Sequence, residues 1–459
     1  MHRFTLSAWD EENLDKGAIR TLITEHEAHV ARLRKNKDYY EGHHAIAKDK
    51  KDLRVICNHA KDISDTATGY FMGNPVTYSN SMAEGEKDQK VMDQLLQAFD
   101  AAGVNDTDTE LALDASVYGV AYEYVYAREG STDPISKAIS PEHTFLVVDD
   151  SIEERELCGV YYWRKEDSAK KTYRYVALVT TEHYTYTLSL DGQAVEGNRQ
   201  ESRVEHLFGE PQIIEYRNNK DGIGDFEQQI SLMDAYDALI SDRITDKEQF
   251  IDAILILYGA LLGDDDDETA DAQKKLKRDK LLELPPDARA EYLTRQMDES
   301  GAEVLRKAIK EDIYNFSHVP NFMDENFAGN TSGVAMEYKL LGLEMMTKVK
   351  EKYYKQGLRK RIRLFTNQLG MEPLHAQAGS ILITFSRGLP KNLTELAQIV
   401  STLSGHVSER TLLQQLPFVE DPQMELEEAA KQRQQQADQQ RAMFGMFPNA
   451  PREAAAQEE

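Results

Sequence analysis

The histidine pairs of this sequence are its first candidates for chemistry. His26 and His29 stand three positions apart in a helical pattern, whereas zinc peptidases place two histidines four positions apart on one helix face. His43 and His44 have no carboxylate or thiol beside them in the sequence. The Walker A, nucleophile-elbow and HExxH patterns do not occur. We therefore expect an exposed helix face for the first pair, a loop for the second, and no enzymatic activity, metal or cofactor.

Two runs of like charge could bind ions or nucleic acid. Residues 264–268 are five consecutive acidic residues, but calcium-binding loops separate their carboxylates with glycine and turn residues. A solvated loop or a contact surface is therefore favoured over a cation site. Residues 348–363 hold eight lysines and arginines against Glu351 alone. Ion pairs within or between subunits are favoured for this helix, and direct contact with DNA is the alternative.

A third pattern is similar to a DNA-binding helix-turn-helix. Residues 394–417 predict a helix, a turn at Gly405 and a second helix. The second helix offers only Arg410 as a cation for base or phosphate contact. A role in packing or assembly is therefore favoured for this segment.

The overall charge argues against a protein that wraps nucleic acid. The 459 residues include 54 lysines and arginines and 80 acidic residues, which gives a net charge of −26. Neutralising phosphates requires clustered cations instead. Because Cys57 and Cys158 lie far apart, a disulfide framework and a structural zinc site are both disfavoured. The longest apolar run, residues 253–262, is half of the about 20 residues that span a bilayer, so we expect a protein of the cytoplasm.

Hydrophobic periodicity predicts an α+β protein, in which tyrosine and valine alternate over residues 119–217 as in an antiparallel sheet. The predicted helices cover residues 15–40, 54–69, 87–102, 225–255, 301–318, 334–369, 392–403 and 410–416, and residues 111–118 are predicted to be the end of a further helix. The remaining expectations are a small α/β insertion over 256–300, a strand over 380–385, and a helix with a low-complexity tail after 424.

The loop between the last two long helices is unusual in its length. It has thirteen residues, 321–333, which is longer than connections between packed helices usually are and indicates a functional loop. The ordered set of motifs around it resembles the portal proteins of tailed double-stranded-DNA phages, of the siphophage type. These motifs lie at residues 70–76 (YFMGNPV), 115–126, 218–225, 231–237 (SLMDAYD) and 319–338.

The resemblance implies a portal fold, assembled as a dodecameric ring around a central channel. Residues 1–224 and 333–390 would form the wing, 225–255 and 301–320 the two stem helices, 256–300 the clip, 321–332 the tunnel loop, 391–440 the crown and 441–459 a disordered tail. Such a ring stands at one capsid vertex of the virion, after assembly in the host cytoplasm, and is the conduit for genome packaging and ejection. The implied partners are further copies of the chain, double-stranded DNA, the terminase large subunit, a head-completion or adaptor protein, the major capsid protein and the scaffolding protein, with no membrane.

The same resemblance implies three groups of site residues. The tunnel loop that faces DNA comprises Asn321, Phe322, Met323, Asp324, Glu325, Asn326, Phe327, Ala328, Gly329, Asn330, Thr331 and Ser332. Candidate channel cations on the second stem helix are Arg306, Lys307 and Lys310. Candidate docking residues in the clip are Asp264, Asp265, Asp266, Asp267, Lys274, Lys275, Lys277 and Arg278.

Two other classes of protein remain open at this point. A cytoplasmic enzyme would need a pocket in the tyrosine-rich sheet region where titratable groups converge, for example Glu123 with His143. A scaffold or adaptor that binds only proteins would need no axial channel.

Overall fold

The described part of the chain falls into two compact units, Met1–Gly388 and Leu389–Glu459. The computed structural model describes residues 3–7, 9–48, 54–80, 86–167, 172–190, 202–250, 254–258, 269–270, 274, 289–293, 299–322, 333–371, 379, 381–387, 393–413, 416, 419, 425–426 and 428–434. Helices and strands both contribute extensively to the first unit, in agreement with the predicted α+β class.

Seven α-helices of the first unit are described: α1 (Lys16–Tyr40), α2 (His59–Met72), α3 (Glu86–Ala101), α4 (Val104–Tyr118), α5 (Ile230–Phe250), α6 (Glu299–Ser317) and α7 (Gly333–Gln368). The second unit has α8 (Leu393–Leu403) and α9 (Glu409–Leu413). The strands are β1 (Arg3–Thr5), β2 (Thr77–Asn80), β3 (Val120–Ala127), β4 (Pro134–Ile139), β5 (Thr144–Val148), β6 (Glu156–Asp167), β7 (Thr172–Thr180), β8 (Tyr184–Leu190), β9 (Ser202–Glu205), β10 (Ile213–Arg217), β11 (Ile254–Tyr258), β12 (Arg289–Leu293) and β13 (Ile381–Thr384).

The predicted tyrosine-rich sheet consists of two sheets. One has six strands in the order β1-β5-β6-β7-β8-β9, and the other has the order β10-β3-β4. The strand pairs among β3 to β10 are antiparallel, as predicted, whereas β1 joins parallel to β5. Strand β13 pairs with β2 and so connects the end of the first unit to its N-terminal helices.

The largest apolar core lies where α7 packs against α2, α3, α4 and β10. Leu358, Ile362 and Phe365 are fully buried there, at the three- and four-residue spacing that keeps side chains on one helix face. Gly357 is required at the contact with β10, because a Cβ atom at this position would lie 2.5 Å from Cε1 of Tyr216. A second core lies between α1 and the six-stranded sheet.

Most predicted helices are confirmed, with corrections at their ends. The helix predicted over 54–69 begins only at His59, because the Asn58 side chain accepts a hydrogen bond from the Lys61 amide at 3.0 Å and caps the first turn. The long helix predicted over 225–255 begins only at Ile230 and ends at Phe250, and the run of isoleucine and leucine from Ile254 to Tyr258 forms strand β11, paired with β12. The small α/β insertion expected over 256–300 thus contains strand β12, whereas the helical assignment of Ile254 is wrong.

Candidate functional site

An ion-pair cluster joins α5 to α6, the two helices that lead to the predicted loop. Glu303 accepts hydrogen bonds from Arg306 at 2.6 Å and from Arg243, on α5, at 3.0 Å. These bonds, that of Arg306 first, lower the pKa of Glu303 to about 2. Arg306 also donates to the hydroxyl of Tyr236 at 3.0 Å. The two helices are therefore held together by charged groups that stay ionised at neutral pH.

The C-terminal end of α6 is fixed to α2. The hydroxyl of Tyr314 donates to a carboxylate oxygen of Asp62 at 2.7 Å and lies 3.2 Å from Nδ1 of His59. The chain then buries Val319 almost completely and reaches Phe322, which is 41% exposed. The predicted loop therefore follows a firmly anchored helix end in the chain.

Two of the sequence motifs meet at a buried junction at the start of the α5 region. The Ser116 hydroxyl donates to Asp225 at 2.6 Å, and the Asp225 amide donates to the Ser116 carbonyl at 2.8 Å. The side-chain amide of Asn218 binds the other carboxylate oxygen of Asp225 at 2.8 Å. Lys350 of α7 adds an ion pair at 2.7 Å, with both side chains buried. These contacts thus join the segments 115–126 and 218–225 to each other and to α7.

A second buried cluster holds α7 against the sheet. Arg361 is completely buried, and it donates to Glu123 at 2.9 Å and to Asp108 at 2.6 Å. Burial raises the pKa of Asp108 to about 6, although the arginine opposes this rise. Glu123 also accepts from the hydroxyls of Tyr216 at 2.6 Å and Ser136 at 2.5 Å. Glu123, which the enzyme alternative named as a site residue, is therefore part of a structural network of hydrogen bonds.

The basic run of residues 348–363 is occupied largely by ion pairs within the chain, as favoured from the sequence. Besides Lys350 and Arg361, Lys360 binds Glu156 and Arg363 binds Glu210. Removing a cation from water is costly unless a carboxylate compensates its charge, which explains this pairing. These four side chains are consequently not available to phosphate groups.

A cavity of about 550 Å³ lies beside β10 and α7. Charged residues dominate its walls, and many of them form pairs with each other, such as Arg3 with Glu215 at 2.7 Å and Arg155 with Glu182 at 2.9 Å. Neither Glu123 nor His143 belongs to this lining. The geometry gives no support to the proposed pairing of those two residues in an enzyme site.

Comparison with known proteins decides between the classes left open by the sequence. Residues 19–439 match the family described as "Phage portal protein, SPP1 Gp6-like". The chain belongs to the phage portal protein family. A portal protein of Clostridium phage phiCD119 is 25% identical over 448 residues, which cover 90% of this chain and 94% of that protein. The portal protein of Bacillus phage SPP1 is 22% identical over 427 residues, which cover 89% of this chain and 82% of that protein.

The described structure contains only part of the portal residues predicted from the sequence. Arg306 is engaged in the α5–α6 cluster, Lys307 is exposed, and Lys310 is half-buried. Asn321 and Phe322 are the members of the predicted tunnel loop that lie among the described residues. Of the predicted clip residues, Lys274 is described, and it is exposed. The other residues of both groups, Met323 to Ser332, Asp264 to Asp267, Lys275, Lys277 and Arg278, lie outside the described residues, and their roles stay predictions.

Two histidines were misplaced by sequence reasoning. His26 is buried rather than exposed, with Nδ1 at 2.9 Å from the Tyr162 hydroxyl, and burial lowers its pKa to about 4. His44 is also buried, and its Nδ1 lies 2.6 Å from a carboxylate oxygen of Asp237, which also accepts from the Cys57 amide at 2.8 Å. Asp237 is 193 positions away in the chain, so local spacing could not reveal this pair. None of the described helices combines the length and the apolar character that crossing a membrane requires.

Proposed function

We propose that this chain is the subunit of a dodecameric portal ring, which stands at one capsid vertex and conducts the genome during packaging and ejection. The observation that carries the proposal is the continuous family match over residues 19–439. This match includes the α5–α6 pair, the loop after α6 and the long helix α7, which together would line and surround an axial channel.

Different segments of the chain would then form the different parts of the ring. Helices α5 and α6 would form the stem, the segment around β11 and β12 the clip, and α7 with the sheets the wing. The second unit would contribute the crown. The buried pairs of Lys350 and Arg361 support a rigid wing, because they connect α7 to residues more than 100 positions away.

The partners of such a ring follow from its position. The clip would dock the terminase large subunit during packaging and a head-completion or adaptor protein afterwards, while the scaffolding and major capsid proteins would surround the wing. Assembly would take place in the host cytoplasm, and the mature ring would be part of the virion. The chain itself would perform no catalysis, because the energy for packaging comes from the separate terminase.

The channel would offer little resistance to moving DNA. Each lysine or arginine that contacts a phosphate adds salt-dependent affinity, and hence drag. The loop sequence instead contains Asp324 and Glu325 together with several asparagines, which would repel phosphates or contact them weakly. Lys307, exposed on α6, is the better candidate for a phosphate contact in the stem, since Arg306 already has partners within the chain.

Negative-stain electron microscopy with a mass measurement on the purified chain tests the proposal. Closed rings of twelve copies with a central hole are the expected result. If the chain stays monomeric alone, the measurement is repeated with scaffolding and capsid protein, where rings should appear at one vertex of each shell. Particles without a channel under both conditions would contradict the proposal and favour an adaptor that binds only proteins.

A further inference from the structure

Helix α6 carries an exposed face that is both apolar and acidic. Val304, Leu305 and Phe316 are 50–69% exposed, although residues of this type are usually buried. At 3.6 residues per turn, Glu311 and Asp312 fall on the same face, and both are exposed. Within the described part of the chain, neither carboxylate has an ionic partner. This side of the helix is therefore not explained by the fold of one subunit.

The N-terminal half of α7 carries an exposed face that is apolar and basic. Four large side chains, 44–75% exposed, recur along it at helical spacing: Tyr338, Leu341, Met345 and Val349. Lys348 and Lys352 lie on the same face and are exposed. The ammonium of Lys348 is 3.4 Å from Glu344, whereas Lys352 has no ionic partner among the described residues. The opposite face of this helix segment, which includes Leu343 and Lys350, is buried.

The two faces match in charge and in spacing. On α6, Val304 and Leu305 stand seven positions before Glu311 and Asp312. On α7, Leu341 and Met345 stand seven positions before Lys348 and Lys352. At 1.5 Å per residue, each separation is about 10 Å. Apolar groups can therefore meet apolar groups while carboxylates meet ammonium groups.

We propose that the exposed face of α6 in one subunit packs against the exposed face of α7 in the next. A second copy of the chain is the occupant because a closed ring needs two different, complementary patches on every subunit. Contact between two α6 faces would bring carboxylates together, and contact between two α7 faces would bring lysines together, which is unfavourable. This inference rests on the proposed ring and assigns the surfaces that join its neighbours.

Charge reversal on each face tests the pairing. The variants E311K/D312K and K348E/K352E change only exposed side chains, so each should fold like the parent chain. Each alone should lose rings, with the dissociation constant of the subunit contact at least about tenfold higher, since like charges then face each other. An equimolar mixture should restore rings, because the two variants can alternate with opposite charges at every contact. The control D150K/E153K, on an exposed turn elsewhere, should form rings normally.

Undiminished rings from either variant alone would overturn the inference, as would a mixture of folded variants that fails to form rings. A parent chain that forms no rings under any condition would contradict the proposed function instead. A cysteine experiment then decides the contact separately, with V304C and M345C in two differently tagged chains that also carry C57S. A disulfide-linked heterodimer is expected from concentrated mixtures, and none from I152C paired with M345C. Absence of the expected heterodimer would again overturn the pairing.

Discussion

Arg361 is a cation without contact to water, and two buried carboxylates depend on it. Replacing it by methionine leaves Asp108 and Glu123 without their charge partner, so we expect unfolding to become easier by about 3–5 kcal/mol. Urea denaturation at pH 7 measures this loss. The loss should shrink toward pH 5, because Asp108, whose pKa burial already raises to about 6, then takes up a proton.

The matched control lies two positions away. Arg359 is exposed on the same helix, and its replacement by methionine should change stability by no more than about 0.5 kcal/mol. Equal stability of the Arg361→Met variant and its parent would show that the buried network does not hold α7.

Asp114 on α4 gives the protein a distinct pH dependence. Burial, followed by the nearby carboxylate of Glu110, raises the pKa of Asp114 to about 7 from an ordinary value of 3.8. The folded chain therefore binds the proton on Asp114 more tightly than the unfolded chain does. The stabilisation that this proton gives is complete below pH 3.8 and is lost as the pH rises to about 7. The Asp114→Asn variant should therefore exceed its parent in stability at pH 8 by at least about 1.4 kcal/mol, the equivalent of one pKa unit.

Urea denaturation at pH 8 and pH 5 tests this expectation, because the advantage of the asparagine should decrease at the lower pH. The Glu110→Gln variant removes the nearby carboxylate and should give a smaller gain at pH 8. An advantage that is independent of pH would rule out titration of Asp114 as its cause.

At the scale of elements, Gly119 connects α4 to β3 where another loop passes very closely. Its φ of 83° favours glycine, and an added Cβ would lie 2.1 Å from the carbonyl oxygen of Gly222. We expect Gly119→Ala to cost several kcal/mol, well above the about 1–2 kcal/mol of the left-handed conformation alone. Gly103, with a φ of 65° and open space around it, is the matched control. Similar losses for both alanine variants in urea denaturation would exclude the steric explanation.

The sequence predicted the elements where a regular period extends over many residues. The long helix after the loop is confirmed as α7, and the strand predicted over 380–385 is confirmed as β13. Prediction failed where a few residues decide the outcome: the Asn58 cap shortens one helix, and the apolar run 254–258 joins a partner strand about 35 positions later. The parallel strand β1 gave no signal, since three residues are too few for a period.

Only the local features of the candidate site could be predicted from the sequence. The positive charge of residues 348–363 was visible in the sequence, and so was the preference for ion pairs. Which carboxylates neutralise it was not, because Asp108, Glu123 and Asp225 come from distant parts of the chain. The exposed character of the N-terminal half of α7 was equally hidden, since its apolar period does not differ from that of the buried half.

At the scale of the whole molecule, the predicted tunnel loop would set the friction of the proposed channel. Replacing Asp324 and Glu325 by lysine adds two cations per subunit, each of which attracts phosphate. We expect rings of normal mass but slowed or arrested packaging, measured as the amount of nuclease-protected DNA in filled heads. The conservative change Asn330→Gln is the control and should leave packaging unchanged. Normal filling by the lysine variant would contradict the low-friction lining.

The long helix α7 also has a mechanical consequence. It has 36 residues, about 54 Å at 1.5 Å per residue, and buried salt bridges hold its C-terminal part against α4 and β3, while its N-terminal end follows the predicted loop in the chain. In engineering terms it is a beam supported along most of its length, because buried Leu343 and Lys350 hold its N-terminal half as well. A load applied at the loop would therefore pass along a stiff helix into the body. Strain produced by moving DNA would thus reach the sheet region as torque.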